Sequence, residues 1–175
     1  MTLVREITAD DWELMRDVRL AALAEAPYAF ASTYAREAAF TEDKWRGRIT
    51  DRSVTFFAQH QPGNAAPAGP APANAGPADE VPAGLAGVYV EDGAADLVSM
   101  WVRPSARGLG VGEALVAAAA AWAKANGFGS LFLWVTESNA PARRLYERCG
   151  FSPTGESQPL PSDPGLTEIR MSRAR

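Results

Sequence analysis

A chain of 175 residues, 47% hydrophobic and 22% charged, is long enough for one domain with a sizeable core and too short for two comfortable ones. Its net charge of −4 gives no global attraction to nucleic acid or to an anionic membrane, and one cysteine beside one histidine supplies neither an internal disulfide nor a zinc cage. No apolar stretch reaches the roughly 18 residues of a membrane span and no charged-then-apolar leader opens the chain, so a soluble cytoplasmic protein without a metal is expected.

Alternation from Leu3 to Ile7 predicts a short first strand. Thr8 and Asp10 then offer caps to a helix carrying Trp12, Met15, Val18 and Ala22 at helical spacing, which Pro27 ends. The stretch PYAFASTYAREAAF that follows is aromatic and small without a clean period. Thr41, followed by Glu42 and Asp43, starts a second helix through Trp45 and Ile49. SVTFFAQ (Ser53 to Gln59) and GLAGVYVE (Gly84 to Glu91) read as strands, and the Asp92-Gly93 turn leads to a third, ADLVSMWV (Ala95 to Val102), which makes an antiparallel meander. Between the first two of these lies an Ala/Pro/Gly-rich stretch, residues 61–83, with hardly any large apolar side chain. It is expected to be a disordered insertion hanging outside a single domain of residues 1–175.

Next comes VRPSARGLGVGEAL, with glycines at 108, 110 and 112 just ahead of a predicted Ala-rich helix that places Leu115, Ala119, Trp122 and Ala123 on one face and stops at Asn126-Gly127. Ser130 to Val135 reads as a buried strand. Asn139 opens a shorter helix through Leu145 and Tyr146 with Gly150 as its stop, and two strands are predicted near Phe151 to Glu156 and Thr167 to Ser172. The order implies an α/β fold: a mixed, mostly antiparallel sheet of about seven strands with flanking helices and one central parallel β-α-β crossover.

A helix N-terminus presents unpaired N–H groups and partial positive charge, and glycine lets an anion approach that backbone closely. In RGLGVG the amides of Arg107 to Gly112 form such a turn, and the Arg107 guanidinium adds a cation suited to phosphate oxygens. The triphosphate-binding pattern is excluded, because Gly112 is followed by Glu113 and Ala114 where Lys-Ser/Thr is required. The G-x-G-x-x-G pattern fails in both registers, at Glu113 and at Leu115.

The segment LVSMWVRPSARGLGVGEALV resembles the acetyl-coenzyme A signature of the Gcn5-related N-acetyltransferases at Arg107, Gly110 and Gly112. A second segment, NAPARRLYERCGF, is similar to the same family's Asn-x-x-Ala-x-x-Leu-Tyr-x-x-x-Gly-Phe pattern at Asn139, Ala142, Leu145, Tyr146, Gly150 and Phe151. The resemblance is specific from about Asp96 to Phe151, and only the element order extends it to the whole chain.

The resemblance implies that the parallel pair splays at a bulge in the fourth strand and that the pantetheine arm of acetyl-CoA pairs with the backbone of Met100, Trp101 and Val102. It places the pyrophosphate on the amides of Arg107, Gly108, Leu109, Gly110, Val111 and Gly112, with Asn139 binding the cofactor arm or fixing the helix after it. A bulge N–H would polarise the thioester carbonyl and Tyr146 would protonate the leaving thiolate. Asp96 matches the position of a basic glutamate in histone-modifying members, and Trp134 stands where protein-N-terminus members carry a glutamate. Tyr28, Phe30 and Ser32 occupy the usual substrate wall, with the prolines from Pro159 to Pro164 as the opposite rim. The implied activity is acetyl transfer from acetyl-CoA to a primary amine by direct attack in a ternary complex, the acceptor being a small molecule or a protein amine. A non-catalytic acyl-CoA-binding module and a homodimer stay open.

Plainer expectations attach to other residues. His60 reads as an exposed strand end, Trp122 and Trp134 as core by periodicity, and Cys149 as a small helix-end residue. Arg143 and Arg144 either approach the cofactor's 3′-phosphate or, for Arg143, pair with Glu147 one turn on.

Overall fold

The computed structural model describes residues 1–50, 53–60 and 81–174. The strands are β1 (Thr2–Glu6), β2 (Ser53–His60), β3 (Gly84–Glu91), β4 (Ala94–Val102), β5 (Ser130–Thr136), β6 (Ser152–Leu160) and β7 (Asp163–Ala174). They form one sheet of seven strands in the order β1-β2-β3-β4-β5-β7-β6, antiparallel throughout except for β4 beside β5. The helices are α1 (Trp12–Glu25), α2 (Tyr34–Ala38), α3 (Glu42–Arg46), α4 (Val111–Ala125) and α5 (Ala140–Arg148). The mixed sheet with a central parallel pair is therefore as the sequence implies.

Each face of the sheet has its own core. Leu115, Val116 and Ala119 of α4 pack on Val88, Leu97, Leu133 and Met171, successive partners in register across β3, β4, β5 and β7 that share one face. On the other face Met15, Val18, Ala22 and Leu23 of α1 pack on Phe57, Leu85 and Trp101. Burying each large side chain of these stripes contributes about 1.5–3 kcal/mol. Phe132 and Trp134 alternate with Leu131, Leu133 and Val135 and so face away from α4, toward a part of the sheet beyond the α1 core. Trp134 is only half-buried and borders a cavity, which corrects its reading as a core residue. Trp122, also half-buried, stacks on Phe128 at 6.2 Å.

Helix starts follow their caps. Asp11 closes a capping box with Thr8 ahead of α1, the Thr33 hydroxyl accepts from Arg36 N, and the Thr41 hydroxyl accepts from Lys44 N. Helix α3 is a single short turn, and α2 lies inside the stretch that shows no period.

Most of the expected insertion lies outside the described residues. Its last residue does not fit that expectation: Ala83 is buried, donating to Ala58 O at 2.7 Å and accepting from Arg103 N at 2.8 Å, so the sheet ladder begins before Gly84. Strands β6 and β7 are longer than predicted and run through Pro153, Pro159 and Pro164. β6 is the edge strand, where a missing N–H costs no ladder bond, and its register shifts after Pro153 and after Pro159.

Two features of β4 shape the centre. Leu85 pairs with Trp101 but Gly87 pairs with Val98, so β4 holds one extra residue there, and Ser99 takes φ +57°. Pairing of β4 with β5 is confined to Ala95–Leu97 against Leu131–Leu133. Beyond Leu97 the two strands part, leaving the edge of Ser99 to Val102 without a strand partner on that side.

Candidate active site

The glycine turn stands at the mouth of this gap. Gly108 and Gly110 have φ of +76° and +79°, and a side chain at either would project into open space, so the turn's backbone is uncovered. Gly112, in the first turn of α4, meets a different constraint: a Cβ there would lie 2.9 Å from Leu145 Cδ2 and 3.6 Å from Met100 Cε. Its missing side chain lets α4, α5 and β4 converge. They wall a cleft of about 490 Å³ whose lining includes Met100, Trp101, Val102, Arg107, Gly108, Gly110, Gly112, Asn139 and Tyr146.

The predicted cofactor residues other than Leu109 and Val111 thus converge on one cleft. The Leu109 side chain is exposed and Val111 is buried in the α4 core, so only their backbone can serve the turn. The Arg107 guanidinium donates to Val102 O at 3.0 Å and to Glu25 at 2.6 Å, and Trp101 Nε1 donates to the same Glu25 oxygen at 2.9 Å. Burial tends to raise the Glu25 carboxyl, but these two hydrogen bonds and the Arg107 charge hold it below the usual glutamate range. Asn139 accepts from Ala142 N at 3.3 Å and so caps α5. Arg143 donates to Glu137 O at 3.2 Å, not to Glu147, while Arg144 lines the cleft.

Tyr146 is 6% exposed and packs edge-on against Phe151, and its hydroxyl takes no hydrogen bond from the described residues. Burial pushes the phenol well above its ordinary value, with Cys149 adding to the rise, so it stays protonated across physiological pH. A protonated phenol at the wall of a cleft is equipped to donate, which is what the departing thiolate of a thioester requires.

A second cavity, about 670 Å³, approaches the β4 bulge from the other side, and Ala29 borders both. Phe30, Asp96 and Ser99 line it, so two predicted residues fall here. Tyr28 does not: it lines the first cleft, and its carbonyl accepts from Thr136 Oγ1 at 2.6 Å. Ser32 lines neither cavity, and its hydroxyl bonds instead to Glu37. His60, at the end of β2, meets Thr2 Oγ1 at 3.1 Å.

Asp96 is raised mainly by burial and further by Glu91, against the pull of Arg170 at 3.4 Å. In the parallel register it sits level with Phe132, below the point where the strands part. Glu168 was not anticipated from the sequence. It is 5% exposed on β7, accepts from Gln158 at 2.6 Å, lines the second cavity, and is raised by burial. It pairs in register with Thr136, at the open end of β5, level with the bulge. At about 3.3 Å per residue, that is about 13 Å further toward the gap than Asp96.

The bulge is held by a buried ion cluster that sequence reasoning also missed. Arg19 donates to Glu37 through Nε and Nη2 at 3.0 and 2.9 Å and to Ser99 Oγ through Nη1 at 3.2 Å. Arg48 Nη1 reaches the same carboxylate at 2.9 Å. Burial tends to raise Glu37, but the two guanidinium groups outweigh it and hold the carboxyl below the usual range.

Comparison with known proteins gives this geometry a family. The acetyltransferase (GNAT) family model matches residues 24–151, well over half of the chain. The chain belongs to the GNAT family. An acetyltransferase of GNAT family from Streptococcus pneumoniae superposes with a TM-score of 0.71 at 18% identity over 100% of both chains. The spermidine N-acetyltransferase of Vibrio cholerae, solved with CoA and spermine, gives 0.70 at 14% identity over 99% of this chain and 95% of that one. These two share the GNAT fold. Streptothricin acetyltransferase of Streptomyces lavendulae is 47% identical over 51 residues, which is 29% of this chain and 27% of that protein. The chain spans under a third of the length of the curated relatives it matches. Acetyl-CoA is the acyl donor of GNAT acetyltransferases, and no cluster of metal-ligating side chains occurs among the described residues.

Proposed function

We propose that this chain transfers an acetyl group from acetyl-CoA to a primary amine of a small molecule by direct attack in a ternary complex. The observation that carries this reading is that two cavities of different character reach the β4 bulge from opposite sides. The cleft of the glycine turn admits a long anionic donor, and the cavity of Asp96 and Glu168 admits an amine.

The parts then act in order. The amides of Arg107 to Gly112, at the N-terminus of α4, hold the pyrophosphate, and the free edge of Met100 to Val102 pairs with the pantetheine arm. A bulge N–H polarises the thioester carbonyl, a preorganised donor aimed where negative charge develops. An acceptor arriving as an ammonium, with an ordinary value near 10, must lose a proton. Glu168 is the carboxylate level with the bulge, and burial has raised it toward the range where a base is effective. Asp96, deeper and paired with Arg170, sets the charge of the floor. The nitrogen lone pair forms the new C–N bond and the C–S bond breaks; Tyr146 gives its proton to the thiolate, and the second proton that the nitrogen sheds as the neutral amide forms restores the phenol.

The testing experiment measures thiol release from acetyl-CoA over a panel of small amines, with the acetylated product identified by mass. Amine-dependent release of one thiol per acetylated product is expected. Binding of acetyl-CoA without turnover, unaffected by Tyr146→Phe, would instead assign a non-catalytic acyl-CoA-binding module.

A further inference from the structure

The second cavity is polarised in a way that the reaction alone does not require. On its α3 side, Arg19 and Arg48 share the single carboxylate of Glu37, whose side chain is 2% exposed. Two guanidinium groups against one carboxylate leave a positive charge without a protein partner among the described residues, its outer part on Arg48, whose side chain is 26% exposed, and an anion reaching that edge would complete the cluster. Arg19 already donates through each of its three nitrogens, which leaves it one further N–H on each Nη but no unengaged nitrogen. Arg48 bonds to Glu37 through Nη1 and its Cζ lies over the rings of Trp45 at 5.3 Å and Phe40 at 6.0 Å, which restrict it, while its other nitrogens are free of partners among the described residues. Burial lowers its pKa against the pull of Glu37, and the nearby Arg19 and Arg36 add to the fall.

The opposite wall carries Asp96 and Glu168. Asp96 is paired with Arg170 at 3.4 Å, whereas Glu168 has Gln158 but no cation as its partner among the described residues, so the uncompensated negative charge there is that of Glu168. Between the two walls lie the apolar surfaces of Phe30, Val98 and Trp134.

We propose that the acceptor is zwitterionic, an amino acid or similar amino-carboxylate whose amine lies at Glu168 and whose carboxylate pairs with the free edge of Arg48. The inference rests on the acetyltransferase reading and names its substrate class. A planar guanidinium held by Glu37 and the two rings offers two parallel N–H donors, the geometry that a carboxylate fills and an uncharged amide does not. The carboxylate completes the two-to-one cluster and directs the amine toward the bulge.

The test compares matched probes: L-methionine, L-phenylalanine, 4-aminobutyrate and 6-aminohexanoate, each as the free acid and as the primary amide. Thiol release from acetyl-CoA gives kcat/KM, and the melting temperature without acetyl-CoA gives binding. At least one free acid is expected to exceed its amide tenfold or more in kcat/KM and to raise the melting temperature where the amide does not. Arg48→Met collapses that ratio toward one, Arg48→Lys retains part of it, and circular dichroism confirms that both variants fold. Transfer with no preference for any acid, or a preference that survives Arg48→Met, overturns the inference alone. Acid-selective stabilisation without transfer overturns the acetyltransferase reading alone, and the absence of both overturns both.

Discussion

Replacing Glu37 by glutamine keeps the side chain's volume and removes the one negative charge between Arg19 and Arg48. The Glu37 and Arg19 side chains are 2% and 6% exposed, so water cannot take over the lost partner, whereas Arg48 at 26% is partly hydrated. Removing one member of a buried pair costs about 3–5 kcal/mol, and the second arginine keeps the estimate at the upper end. In a domain of this size that lowers the melting temperature by about 6–20 °C. The sign with pH follows from the lowered Glu37 carboxyl. Its stabilisation is complete above the unfolded glutamate value near 4.5 and is lost as pH falls through the lower folded value. Urea unfolding followed by tryptophan fluorescence, at neutral pH and again well below the ordinary glutamate range, should therefore show a large gap between parent and variant that narrows on acidification. A loss under about 1 kcal/mol at neutral pH, or a gap independent of pH, would refute the cluster's role. Because Arg19 also holds Ser99 at positive φ, the same variant is expected to lower kcat through the bulge.

Tyr146→Phe should leave stability within about 0.5 kcal/mol, since the hydroxyl makes no hydrogen bond to the described residues, while kcat falls about 100-fold in steady-state assays at unchanged KM. Glu168→Gln keeps the Gln158 contact and removes a carboxylate raised by burial. At neutral pH it should melt no lower than the parent, yet lose the acid limb of the kcat/KM profile, and an unaltered limb would exclude Glu168 as the proton acceptor. Gly112→Ala pushes a methyl to 2.9 Å from Leu145; the overpacking, partly offset by better helix propensity, costs about 1 kcal/mol net and should raise the KM for acetyl-CoA more than it lowers kcat.

The sheet, the helix of the glycine turn and the cleft residues were legible because each carries a local signal. Alternation marks the strands, Asn139 is a cap, and glycines at every second position before a helix mark an anion-binding turn. The acceptor side was not. Glu37 lies in a stretch without period, and a single buried glutamate looks like any surface one. The available signal was Arg19, a charge beside Met15, Val18 and Ala22 on the buried stripe of α1, which demands a partner. Glu168 lies inside the strand predicted near Thr167 to Ser172, but the pairing that sets it against Thr136 of β5, and so beside the second cavity, joins segments distant in sequence and leaves no local signal. Trp134 obeys the strand period, but its face of the sheet opens onto a cavity, a fact of tertiary packing that periodicity does not contain.

The central claim is that the glycine turn and the unpaired edge of β4 hold acetyl-CoA. Amide hydrogen exchange of the protein with and without saturating acetyl-CoA tests it most directly. Protection is expected to concentrate at Met100 to Val102 and Arg107 to Gly112, with the far edge at β1 unchanged. Exchange at those amides that acetyl-CoA does not slow, or protection confined to the second cavity, would contradict it.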